Sequence, residues 1–351
     1  MIKTPLCRLF IAYYGCQSVQ LISVKLKNWK SLLNLTLNIT FFCTSLYKVT
    51  SESMAYTADE AALPNISRAL VEKPLYSLFY SGTLTLGLTS FTLRFVYFLF
   101  LSLVNTENCD LVSNLDALTS QVNPGGHHAV SEKRSKQLIF VVITFNHLLY
   151  IFCLSEGIFW RLLSYNFGDL IFTYVSFYWM TINMNIAFLL LHYTQLATLH
   201  SLNGIAKSPK SNSKLSIAKI SQLAQINQRI HRLLSLPLLL SVVPYIFDIT
   251  FTLSSLWIKK FSGANPYFLQ FLLHACLLAH FDRKICSKIR QILENLQNTE
   301  NKALVNVQIF AQLYSGHFSP KLFSLCSLNW PFIGSICLFT FNYFVLLTQT
   351  Q

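Results

Sequence analysis

The sequence predicts an all-α integral membrane protein, a seven-helix bundle with its N-terminus cytoplasmic and its C-terminus extracellular. Three observations lead there. Of the 351 residues, 53% are hydrophobic and only 12% charged, about half the charged share of a soluble domain. Apolar runs of bilayer-spanning length recur seven times along the chain. The Lys and Arg residues between those runs fall mainly on one side.

The predicted spans are residues 31–48, 83–104, 138–160, 170–194, 233–257, 264–281 and 331–349. The first is thinned by Asn34, Thr36, Asn38 and Thr40. The last holds no charge and ends close to the end of the chain, so its helix is expected to finish at a membrane face. Four regions follow: a cytoplasmic N-terminal segment (1–30), a six-helix bundle (31–281), a cytoplasmic anchor region (282–330) and a seventh helix (331–351).

With the N-terminus inside, the inside segments hold 20 Lys and Arg and the outside segments 5. That asymmetry sets the orientation, and it is the reverse of a G-protein-coupled receptor. The formal charge of +13 thus orients loops and calls for membrane lipid, not nucleic acid, as the partner. The loop at 49–82 is then extracellular and carries a glycosylation acceptor, Asn65-Ile66-Ser67. A secretory signal is not expected, because Arg8 interrupts the apolar start.

Two inside segments have amphipathic helical spacing. Residues 214–234 carry Leu215, Ile217, Ile220, Leu223, Ile226, Ile230 and Leu233; residues 283–313 carry Ile285, Ile289, Ile292, Leu293, Leu296, Leu304, Val307, Phe310 and Leu313. Such faces need partners, either within the subunit or where several subunits meet. Ser208–Ser213 and Asn123–His128 read as links.

No catalytic constellation is present. His127-His128 sits in a Pro-Gly loop without further metal ligands, and there is no phosphate-binding glycine loop or nucleophile elbow. The nine cysteines lack metal or disulfide spacing, and Cys43, Cys153, Cys276 and Cys337 lie in apolar runs, where they are expected to be small buried hydrophobes. The chain is therefore expected to be no enzyme and to carry no cofactor or metal.

Polar groups inside spans carry the functional signal. Arg94, Glu156 and Asp248 either pair internally to fix helix packing or line a cavity that opens outward. Gln270 and His274 lie on the sixth span, and His280, six residues on, falls on another face. Tyr174, Tyr178 and Trp179 lie deep enough to line a pocket for a small organic ligand. On the last span Ser335, Asn342 and Gln349 recur every seven residues, with Val345 and Leu346 between them. They form nearly one stripe. Amides facing lipid are costly, so this stripe should face protein or water.

The same helix carries a resemblance. Asn342-Tyr343, five residues and Gln349-Thr350 resemble the closing motif of insect gustatory receptors, Thr-Tyr, five residues, Gln-Phe. Phe323–Asn329 is similar to that family's approach to the motif. Asn342 stands for the Thr and Thr350 for the Phe. The resemblance is specific over 305–351. It implies a multi-pass plasma-membrane receptor of sensory neurons, a homo- or hetero-tetramer of related subunits. It implies a non-selective cation channel opened by a small-molecule tastant bound in the outer half of the bundle. The pore and gate residues would be Asn342, Val345, Leu346, Gln349 and Thr350, with Tyr343 a motif position. The ligand residues would be Arg94, Glu156, Tyr174, Tyr178, Trp179, Asp248, Gln270 and His274. The alternatives are a metabotropic receptor coupled to a G protein, against which the charge count argues, and a non-conducting co-receptor subunit, which Thr350 leaves open. A solute transporter would need an internal repeat with matching broken helices, and none is seen.

Overall fold

The computed structural model describes residues 187–188, 191–206, 213–257, 266–299, 318–322 and 326–349, with isolated positions between 36 and 148. Those isolated positions are all helical and, apart from Gln137 just before the third, fall within the first three predicted spans.

The helix over 191–206 (α1) continues the fourth predicted span inward. Next comes α2, Ser213–Trp257, one helix of 45 residues. It joins the amphipathic inside segment to the fifth predicted span as a single rod about 68 Å long, more than twice the hydrocarbon thickness of a bilayer. Then α3, Pro266–Thr299, has 34 residues and joins the sixth span to its inside extension in the same way. Pro266 suits its first position, because the N–H there has no intrahelical acceptor.

Pro237 and Pro244 lie within α2 without ending it. A proline frees the carbonyl four residues before it. For Pro237 that carbonyl belongs to Leu233, and the Tyr97 hydroxyl donates to it at 2.7 Å. The second span thus supplies the hydrogen bond that the proline removes, which is what lets the rod continue. One turn on, Ser241 Oγ donates to the Pro237 carbonyl at 2.8 Å.

The core lies among α1, α2 and α3. Its fully buried members include Phe188, Leu191 and Leu202 from α1 and its approach, Ile220, Leu223 and Leu238 from α2, and Phe271 and Leu278 from α3. Ile226 and Ile230 of α2 and Ile285, Ile289, Ile292 and Leu293 of α3 are also buried. These buried members of the two amphipathic faces are therefore covered by the same chain, while Ile217 and Leu233 are half-buried. Leu304–Leu313 lie outside the described residues.

A two-stranded antiparallel hairpin, β1 (Lys321–Leu322) and β2 (Cys326–Ser327), pairs Lys321 with Ser327 and Leu322 with Cys326. It corrects the all-α expectation for the anchor region. Two-residue strands carry no alternation that a sequence pattern could reveal. Phe318, Leu322 and Leu328 are buried and fix the hairpin, and β1 packs on α2. Asn329 then caps the last helix, α4 (Trp330–Gln349): its Oδ1 accepts the Phe332 N–H at 3.1 Å. Pro331 sits in the first turn, where its missing N–H costs nothing.

Among the described residues no helix is long and apolar enough to cross a membrane, where seven spans are expected from the sequence. In α2 and α3 the apolar halves are fused to polar, amphipathic ones. The helix α4 has 20 residues without a charge and rises about 30 Å. Leu347 and Thr348 near its end have no described side chains.

Candidate functional site

Two sets of side chains stand out, one on the surface of α4 and one inside the bundle.

On α4, Ile333, Ile336 and Thr340 are buried, and they follow each other at helical spacing of three and four residues. That face packs on α2 and α3. At about 100° per residue, Ser335, Asn342 and Gln349 lie on the opposite side of the helix, about 160–200° round from Ile333. All three are exposed. Ser335 satisfies its hydroxyl by donating to the Pro331 carbonyl at 2.9 Å. Leu346, within about 60° of Asn342 and Gln349, is 55% exposed, whereas Val345 is half-buried. Tyr343 is exposed and its ring lies 4.9 Å from that of Phe339, one turn back. Cys337 is also exposed, as is Cys43 on the first span. This corrects the expectation that both are buried: each faces away from its own chain, where an apolar thiol can meet lipid or a partner.

Inside the bundle, α1 presents His192, Gln195, Thr198 and Ser201, all buried. Their spacing of three sets each about 60° round from the last, so the row winds half-way round α1 from His192 to Ser201. His192 Nε2 lies 3.0 Å from His274 Nδ1 of α3. His274 also stacks on Phe188, with ring centroids 5.2 Å apart and planes 8° off parallel. Gln195 Nε2 donates to the Leu278 carbonyl at 3.4 Å. Thr198 Oγ1 donates to Asn227 Oδ1 of α2 at 3.0 Å, and Asn227 Nδ2 donates to the Leu223 carbonyl at 2.8 Å. Buried polar groups are retained when paired in this way. Gln270, one turn before His274, is fully buried too.

Of the sequence-predicted ligand residues, Gln270 and His274 are thus buried on one face of α3, and His280 is exposed on another, as its spacing requires. Asp248 lies in α2, with its side chain outside the described residues. Arg94, Glu156, Tyr174, Tyr178, Trp179, the glycosylation acceptor Asn65 and the motif residue Thr350 lie outside the described residues. His192 was missed by the sequence reading, along with Gln195, Thr198 and Asn227. The signal was there in the three-residue spacing of polar groups at the inner end of the fourth span.

Midway along α3 a second polar junction meets the hairpin. Asp282 is 8% exposed, and Ser319 Oγ donates to its Oδ1 at 2.6 Å. Burial raises the Asp282 carboxyl above its usual range, with the Ser319 hydrogen bond acting against that. One turn on, burial first and the Asp282 charge second push the Cys286 thiol up to about 11, so it stays protonated and unreactive at neutral pH. Across the junction on α2, His231 is buried. Burial first and the Lys321 charge second lower it to about 4, which keeps it uncharged at neutral pH. Among the described residues no group of three or more His, Cys, Asp or Glu could hold a metal ion.

No family model matches the chain, and no curated protein matches it. Its architecture does match solved structures. The insect olfactory receptor OR5 from Machilis hrabei in complex with eugenol superposes with a TM-score of 0.66 at 11% identity over 99% of both chains. A second structure of the same receptor gives 0.62 at 11% identity, again over 99% of both chains. The chain therefore shares the fold of that olfactory receptor. At this identity the likeness is one of architecture.

Proposed function

We propose that this chain is a chemosensory receptor channel of the gustatory type, a multi-pass plasma-membrane protein of sensory neurons. A small-molecule tastant binds in the outer half of the helix bundle and opens a non-selective cation pathway. The observation that carries this reading is the polar stripe of α4, set diametrically opposite the face that packs on its own subunit. A membrane helix with amides turned away from its bundle must give them water or another subunit. A ring of four related subunits around a water-filled axis gives them both. The gustatory motif carried by Tyr343 and Gln349 and the olfactory-receptor fold support the same reading. Tastant acts by binding the open arrangement more tightly than the closed one.

The test is to express the chain with a C-terminal tag, stain unpermeabilised cells, and record current under a tastant panel, alone and with a related subunit. Surface staining together with a tastant-evoked cation current is the expected result. A hidden tag sinks the topology and returns the G-protein-coupled reading. A visible tag with current only on co-expression, and none altered by changes in this chain's α4, makes it a non-conducting co-receptor subunit, the reading that Thr350 in place of the motif Phe leaves open.

A further inference from the structure

Polar contacts descend one face of α3 in order. His274 meets His192, the Leu278 carbonyl meets Gln195, and Asp282 meets Ser319. The first two tie α3 to α1. The third ties it to the segment that leads into α4. From His274 to Asp282 is eight residues, or about 12 Å along the helix, and both side chains are buried. A shift of α3 at the level of His274 therefore reaches Asp282 without a flexible joint, because the helix between them is unbroken.

Beyond Ser319 the connection is also stiff. The Pro320 carbonyl accepts the Leu328 N–H at 2.8 Å, which closes the hairpin at its base. Lys321 and Leu322 pair with Ser327 and Cys326. Asn329 N–H donates to the Ser327 carbonyl at 2.9 Å, and Asn329 in turn caps α4. Few soft torsions separate the Ser319 hydroxyl from the first turn of α4. The hairpin's apolar residues hold it to the core and β1 lies on α2; the polar hold of α3 upon it is Asp282.

We propose that the Asp282–Ser319 hydrogen bond is a gating latch, the point at which movement of α3 is passed through the two-stranded hairpin to α4. This rests on the channel reading above and adds to it a route from the ligand-binding bundle to the pore helix. The latch lies on the cytoplasmic side and touches neither tastant nor pore. Asp282 and Ser319 are positioning residues, so their loss changes how far binding is converted into opening, and leaves the conductance of a single open channel as it was.

The experiment has two readouts on the full-length chain, with variants Asp282→Ala, Ser319→Ala, the double variant and the conservative Ser319→Thr. The first is amide hydrogen exchange over residues 318–333 of the purified protein in lipid nanodiscs. Each alanine variant is expected to speed exchange there roughly tenfold, the scale of one charge-assisted hydrogen bond. The double variant should be no faster than the single ones, and Ser319→Thr should restore protection. The second is the tastant concentration for half-maximal current, expected to shift in each alanine variant with single-channel conductance unchanged. Unaltered exchange, or additive effects of the two substitutions, overturns the latch. So does faster exchange with an unmoved dose–response curve. A wild-type chain silent under all conditions, with the exchange result as expected, overturns the channel reading alone and leaves the hairpin contact established as structural.

Discussion

Tyr97 gives Leu233 the hydrogen bond that Pro237 takes away. The phenol oxygen lies 2.7 Å from the Leu233 carbonyl, four residues before the proline, where the helix has an acceptor and no donor. Tyr97→Phe should destabilise the protein by about 1–2 kcal/mol in denaturant unfolding, since the carbonyl is then unmatched. In a Pro237→Ala background residue 237 regains its N–H, and the same Tyr97 substitution should cost a few tenths of that. Equal costs in both backgrounds would show that Tyr97 acts through packing instead.

The His192–His274 pair gives a second cycle. The two ring nitrogens are 3.0 Å apart in the buried interior, so one neutral ring donates and the other accepts. His274→Leu leaves the His192 Nε2 without that partner, when its Nδ1 already has none among the described residues. The expected loss is about 1–3 kcal/mol. His192→Leu with His274→Leu should cost less than the two single changes added together, because apolar groups then face each other. Unfolding midpoints of the four proteins decide it.

His231 makes stability depend on pH. Its folded value of about 4 lies below the model-peptide value of 6.5, so between those pH values the unfolded chain binds more protons. Stability therefore rises with pH through that window and is lost as pH falls. At pH 5 the loss from this one group is about 2 kcal/mol. His231→Gln should flatten the dependence of the unfolding midpoint between pH 7 and 5, measured in detergent. An unchanged slope would place the acid sensitivity elsewhere.

On α4 the two faces should respond oppositely. Asn342→Cys and Gln349→Cys are expected to react with a charged, membrane-impermeant thiol reagent, faster when tastant is present, and to change the current. Ile336→Cys, on the packed face, should not react. Gln349→Ala should alter conductance or gating with normal surface expression, whereas Ile336→Asn should reduce expression by placing an amide in the core. Equal reactivity on both faces would remove α4 from the pore.

The sequence by itself determined the class of helical architecture and the polar stripe of α4. These are properties of composition and period. Helical spacing puts Ser335, Asn342 and Gln349 on one side whatever else the chain does. The amphipathic spacing of 214–234 likewise announced the inner half of α2. Only the tertiary structure decided which residues meet across helices: Tyr97 with Leu233, His192 with His274, Thr198 with Asn227 and Ser319 with Asp282. Each pair joins separate elements, at sequence separations of 136, 82, 29 and 37. Their meeting depends on how helices cross and how far each is offset along its neighbour. No local period encodes that offset. It is set by the sum of side-chain volumes in the shared core, which exists only once the helices have packed.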